Sequence, residues 1–248
     1  MSGHSKWAGI KHKKGLADVK KGKVFSKLTK DITLAAKHGG GNPDANPTLR
    51  TILSKAKEAN MPNENIERAI KKGTGELPGV VYEEVVYEGY AHGGVAVLVE
   101  VTTDNKNRTS AEIRNIFSKR GGNLAGTGSV SWLFHKKGFI LIDKKVADED
   151  KLMSIVLESG AEDLKTEGDT YEVITDPKDL EKIKTKLQEN NVPWQVAEIT
   201  MLPQTTVKVD KGLASQVLGL VEALEEHDDV QNVYANFDIP DEVLAKAG

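Results

Sequence analysis

Between Gly73 and Gly79 the spacing of apolar residues changes from three-and-four to two, and no single kind of element accommodates both periods. Upstream, Phe25, Leu28, Ile32 and Ala35 recur at helical spacing until Gly39-Gly40-Gly41 stops the pattern. Asn46-Pro47 then supplies an N-cap with proline at the first helical position, and Leu49, Ile52, Leu53 and Ala56 supply the apolar face. Pro62 opens a third helix with Ile66, Ala69 and Ile70 inward, ended by Gly73. Downstream, residues 81–89 and 95–103 read as strands joined by Ala91-His92-Gly93-Gly94. A helix opens with Thr109 and Glu112 at capping-box spacing and buries Ile113, Ile116 and Phe117, and residues 130–134 read as a further strand.

The next stretch is complete in itself. A strand at 139–142, a helix carrying Leu152, Ile155 and Val156, strands at 163–166 and 170–174, a helix carrying Leu180, Ile183 and Leu187, and a strand at 195–201 follow in the order βαββαβ, the ferredoxin-like arrangement. A helix from Asp210 and a strand at 232–237 remain, too little to bury a core alone. Added to the strands and helix before residue 135, they complete a second sheet. The expected fold class is therefore α+β with three domains: 1–78, a basic flexible arm plus a three-helix domain; 79–135 with 204–248, a middle α+β domain; and 136–203, an inserted ferredoxin-like domain. The two chain crossings, near Lys136-Lys137-Gly138 and Pro203-Gln204, are expected to act as its hinge.

The charges divide along the same line. The net charge of −3 hides a basic N-terminus: residues 1–78 hold 16 Lys and Arg against 7 Asp and Glu, whereas residues 79–248 hold 18 against 30. A basic segment on an acidic body is the asymmetry of a chain that meets a polyanion. The expected nucleic-acid contacts are His4, Lys6, Trp7, Lys11, His12, Lys13, Lys14, Lys20, Lys21, Lys23, Lys27 and Lys30, with Arg68, Lys71 and Lys72. Trp7 is expected either to stack on a base or to pack near Phe25.

Other chemistries find little support. There is no cysteine, which excludes thiolate metal sites and cysteine nucleophiles and fits a reducing compartment. The six histidines fall in different elements, so no metal, no cofactor and no small-molecule substrate are expected. No apolar run approaches a membrane span. Glu84 and Glu88 share a strand face and are expected to be solvated there, and no nucleophile motif accompanies them. Catalytic residues are expected to be absent. Asp104-Asn105-Lys106-Asn107-Arg108-Thr109, at a helix N-terminus, reads in two ways. It is an anion or phosphate contact through Asn105, Asn107, Arg108 and Thr109, or a turn closing its own backbone bonds.

Several of these segments carry a resemblance. Gly3-His4-Ser5-Lys6-Trp7, Ile10-Lys11-His12, Phe25-Ser26-Lys27, Asn60-Met61-Pro62, the run from Asn65 to Gly73, Tyr87-Glu88-Gly89-Tyr90, the run from Asp104 to Thr109, Gly122-Asn123-Leu124 and Gly128-Ser129-Val130 together resemble the YebC/PmpR family. Gly9 and Ala91-His92 depart from its usual pattern. The resemblance implies three domains, a cytoplasmic protein without catalytic activity, and a DNA-binding transcriptional regulator. Other members of that family imply a translational activator on the ribosome, easing synthesis of proline-rich stretches. The expected partner is thus promoter DNA or ribosomal RNA, with the ribosome itself a further partner and no membrane.

Overall fold

A computed structural model describes residues 21–239. Its first part is three helices: α1 (Lys21–Gly39), α2 (Pro47–Glu58) and α3 (Asn63–Gly73). Leu28, Ile32 and Ala35 of α1 meet Leu49 and Ala56 of α2 and Ile66 and Ala69 of α3 in one core. These are the positions that the helical spacing marks as inward. Asn46 ties the α1–α2 corner: its side-chain oxygen accepts from Leu49 N at 3.1 Å, and its amide donates to Ala35 O and Gly40 O at 2.9 Å each. A Cβ on Gly39 would fall 2.6 Å from that amide, so the glycine is needed for close approach.

The first sheet has the strand order β3-β1-β2-β9, from β1 (Glu83–Tyr90), β2 (Ala96–Thr103), β3 (Asn123–Leu124) and β9 (Val230–Ala235). Helices α4 (Lys106–Lys119) and α7 (Lys211–Glu225) supply the core on one face, where Val97, Val99, Ile113, Phe117, Val217, Leu220, Val221 and Val233 are buried together. On the other face Ala96, Leu98 and Tyr234 pack with Val130 and Phe134. A short parallel pair, β8 (Val207–Lys208) with β10 (Phe237–Asp238), stands beside it.

The second sheet has the order β5-β6-β4-β7, all antiparallel, from β4 (Phe134–Asp143), β5 (Ala161–Glu167), β6 (Thr170–Thr175) and β7 (Val196–Pro203). With α5 (Glu149–Glu158) and α6 (Leu180–Glu189), this is the ferredoxin-like order. Its core joins Ile140 and Ile142 to Leu152, Val156, Val173, Ile183 and Leu187.

One expectation needs correction. Residues 130–134 do not form a strand. Ser131–Leu133 is a 3₁₀ turn, and β4 starts at Phe134. The two crossings are paired strands. β4 and β7 pair from Phe134↔Pro203 to Leu141↔Val196, so the chain passes between the sheets as one hydrogen-bonded ribbon. Phe134 sits in the first sheet's packing and Ile140 in the second's, on the same strand.

Candidate nucleic-acid interface

Of the expected contacts, His4, Lys6, Trp7, Lys11, His12, Lys13, Lys14 and Lys20 lie outside the described residues, and Lys21 opens α1. The structure turns three others toward the C-terminal end of α7. Spacings of four and three place Lys23, Lys27 and Lys30 in a row along α1. That row docks on the C-terminal end of α7: Lys23 Nζ donates to Glu226 O at 2.7 Å, Lys27 Nζ to Glu225 O at 2.9 Å and Lys30 Nζ to Asp228 O at 2.9 Å. Helix α7 has no basic residue in its own last turn, so lysines from another helix meet the negative end of its dipole.

Asp229 is the centre of this contact. Its side chain is 7% exposed and lies 2.5 Å from Lys30 Nζ, itself 12% exposed. The other carboxylate oxygen accepts from Thr109 Oγ1 at 2.6 Å, Arg108 Nη2 at 2.8 Å and Thr103 Oγ1 at 3.2 Å. Burial pushes the Asp229 pKa up, but the bonds from Lys30, Thr109 and Arg108 outweigh it and hold the carboxyl well below the usual range. The ambiguous segment at the start of α4 thereby resolves. Asn105 caps the helix, accepting from Arg108 N at 3.1 Å, and the anion held by Arg108 and Thr109 is the chain's own Asp229. Asn107 is exposed on the first turn of α4.

Glu112, His227 and Asp229 place one potential ligand atom each within 4.8 Å of one another. Each of the three already has a partner within the chain. His227 Nδ1 accepts from Asp229 N at 3.1 Å, so Nε2 carries the proton and pairs with Glu112 at 2.9 Å. With Arg108 and Lys30 alongside, the arrangement is a hydrogen-bonded junction in which two cationic side chains already face the carboxylates.

Glu88 needs correction too. It is 3% exposed rather than solvated. Its carboxylate accepts from Gly128 N at 2.7 Å, Val130 N at 2.7 Å and Ser131 N at 2.8 Å. Burial favours the protonated acid, yet these backbone bonds prevail and its pKa is lowered. The Tyr87-Glu88-Gly89-Tyr90 and Gly128-Ser129-Val130 motifs are thus two halves of one contact.

The remaining basic residues of the helical part face outward. Arg68 forms an exposed pair with Glu64 at 3.1 Å. Lys71 and Lys72 end α3, Lys37 and His38 end α1, and all four are exposed. Gly73 brings the two ends together: a Cβ there would lie 2.3 Å from Thr33 O and 2.7 Å from Ala36 Cβ. None of the four has an ion-pair partner among the described residues. Lys37 and His38 join the expected set only through this crossing, which no local spacing announces.

A basic N-terminal sequence, a three-helix unit and two sheet units together define a family. Residues 5–76 match the family described as "TACO1/YebC protein N-terminal domain", and residues 82–237 match "TACO1/YebC second and third domain". The chain belongs to the TACO1/YebC family. Among its relatives, a "Probable transcriptional regulatory protein" of Dictyoglomus turgidum is 60% identical over 245 residues, covering 98% of each chain. One of the same name from Syntrophus aciditrophicus is 58% identical over 247 residues, covering 99% of each. The crystal structure of a conserved hypothetical protein from Aquifex aeolicus is similar with a TM-score of 0.79 and 51% identity, covering 92% of this chain and 94% of that one. Among the described residues, no helix is long and apolar enough to cross a membrane.

Proposed function

We propose that this chain is a non-enzymatic, cytoplasmic regulator of gene expression that binds promoter DNA through its N-terminal part. The observation that carries the reading is the exposed cluster of Lys37, His38, Lys71 and Lys72, in a part of the sequence that is basic while the rest is acidic. Such a cluster contacts phosphate and adds affinity without reading sequence. The regulatory names of the relatives point the same way. The buried carboxylates Asp229 and Glu88 are engaged in structural bonds.

The test is binding of the full chain to duplex DNA over a range of salt concentrations. Replacing Lys37, Lys71 and Lys72 together by alanine should weaken binding on all sequences alike. It should also make the log–log salt slope shallower by about 2 to 3, near 0.9 for each phosphate left unneutralised. An unchanged slope would refute the assignment of this cluster. Crosslinking in cells that returns ribosomal RNA instead of promoter DNA would replace DNA as the target.

A further inference from the structure

The acidic body contains one region without acids. Residues 113–142 hold no Asp or Glu but carry Arg114, Lys119, Arg120, Lys136 and Lys137. Two features of this stretch converge on the turn end of the β1–β2 hairpin. The first is a cleft of about 440 Å³ lined by His92, Lys119, Arg120, Gly121, Ser215 and Gln216, with no carboxylate in its wall. His92, Lys119 and Arg120 have no ion-pair partner among the described residues. The His92 ring lies directly over Gly121, where a Cβ would fall 2.1 Å from Nε2, so the cleft keeps this shape only with glycine. Lys119 and Arg120 also offset the C-terminal dipole of α4, but that role does not require a concave wall or a third cation from another element.

The second feature is a pair of aromatic rings fixed to one atom. Trp132 is 63% exposed, yet its indole N–H donates to Ser129 O at 3.1 Å; Tyr90, 38% exposed, donates its hydroxyl to the same oxygen at 3.1 Å. The segment bearing Ser129 and Trp132 is the one that Glu88 holds from beneath through three backbone amides. A buried charge thus fixes a glycine-rich segment that displays an indole. Tyr90 ends β1 and precedes His92 by two residues, so at most about 7 Å separates their Cα atoms; its ring lies on the Ala96 face of the sheet and the cleft on the helix face, and both open at the hairpin's turn end. Rigid exposed rings beside unpaired cations suit a polymer that alternates flat apolar surfaces with negative charges.

We infer that this end of the first sheet is a second nucleic-acid site, specific for unpaired nucleotides: Trp132 and Tyr90 stack on a base while His92, Lys119 and Arg120 hold phosphates further along the same strand as it rounds the hairpin end. It relies on the function proposed above only for the class of ligand, since a duplex offers no free base face to the rings.

The test measures affinity of the full chain for oligouridylate, for oligodeoxythymidylate and for a duplex. Trp132→Ala should weaken single-strand binding about ten-fold and leave duplex binding and melting temperature unchanged. Trp132→Phe, which keeps a ring, should restore most of the loss. Lys119→Ala with Arg120→Ala should make the single-strand salt slope shallower by about 1.4, near 0.7 for each phosphate released. Preference for the ribonucleotide assigns the surface to RNA and the reverse to unwound DNA; either upholds it. Single-strand affinity that survives both Trp132→Ala and the double variant overturns the inference, as does a wild-type chain with no single-strand affinity. The Lys37/Lys71/Lys72 variant, read on duplex, reports on the proposed function separately.

Discussion

Asp229 and Glu88 are both buried carboxylates of the first sheet unit held below their ordinary pKa, and they are held by opposite means. Asp229 is bound by side chains: a lysine from α1, an arginine and a threonine from α4, and a threonine from β2. Glu88 is bound by backbone amides from one short segment. Side-chain donors from distant segments make a carboxylate a junction between parts of the chain. Amide donors from one segment make it a clamp on that segment's shape. Removing the first should release a helix, and removing the second should loosen only a loop.

The largest effect is expected at the junction. Asp229→Ala leaves Lys30 buried without its counter-ion and should cost about 3–5 kcal/mol of unfolding free energy, measured by denaturant titration. Hydrogen exchange should rise along α1 while the second sheet unit is unaffected. The pH dependence has a definite sign. Because the folded pKa is depressed, Asp229 stabilises above the unfolded carboxylate pKa of about 4, and its contribution is lost as pH falls through the folded value. The variant should therefore lose less stability than wild type on acidification below pH about 4.

Glu88→Gln should cost less, about 1–3 kcal/mol, since the amide retains one acceptor oxygen but turns an N–H donor toward backbone donors. Its exchange signature should be confined to residues 125–133. Equal costs and equally spread signatures for the two variants would dissolve the contrast.

Asp31 sharpens the comparison by reversing it. This residue of α1 has its pKa pushed up to about 6, by burial first; Lys55 and Lys27 pull it down, while Glu84 and Glu100 push it further up. A raised carboxyl pKa means that the native state holds the proton longer, so stability falls as pH climbs from about 4 through 6. Asp31→Asn should accordingly stabilise by about 1–2 kcal/mol at pH 7 and by little at pH 4, read as melting temperatures. Destabilisation at pH 7 would show that the charged form is well accommodated.

The elements legible in the sequence were those whose pattern is local. Helices α1 to α3 announce themselves by apolar spacing and by Asn46-Pro47, and the ferredoxin-like order follows from six consecutive elements that need no outside partner. Strands β3, β8 and β10, two residues each, are too short to show a period of two. The 3₁₀ turn at Ser131–Leu133 escaped because its apolar residues form a run that a strand would also show. Charge was legible as a total but not as a destination. Lys23, Lys27 and Lys30 add to the basic count whether they meet a polyanion or the carbonyls of α7. Their four-and-three spacing, set against the Glu225-Glu226-His227-Asp228-Asp229 run, was the available sign. Glu88 offered none, because its three donors are backbone groups that any sequence possesses.

The docking of α1 on α7 also has a consequence in time. Lys23 and the carbonyl it meets are 203 positions apart. Closing so long a loop costs only modestly more free energy than closing one of half the length, since the entropy grows logarithmically. Order of synthesis is the stricter limit. Helix α1 is made near the start, and the carbonyls of Glu225, Glu226 and Asp228 are made near the end. Strand β2 likewise waits for β9. Throughout translation of the intervening chain the three lysines stand undocked, and the nascent protein carries a longer basic face than the finished one.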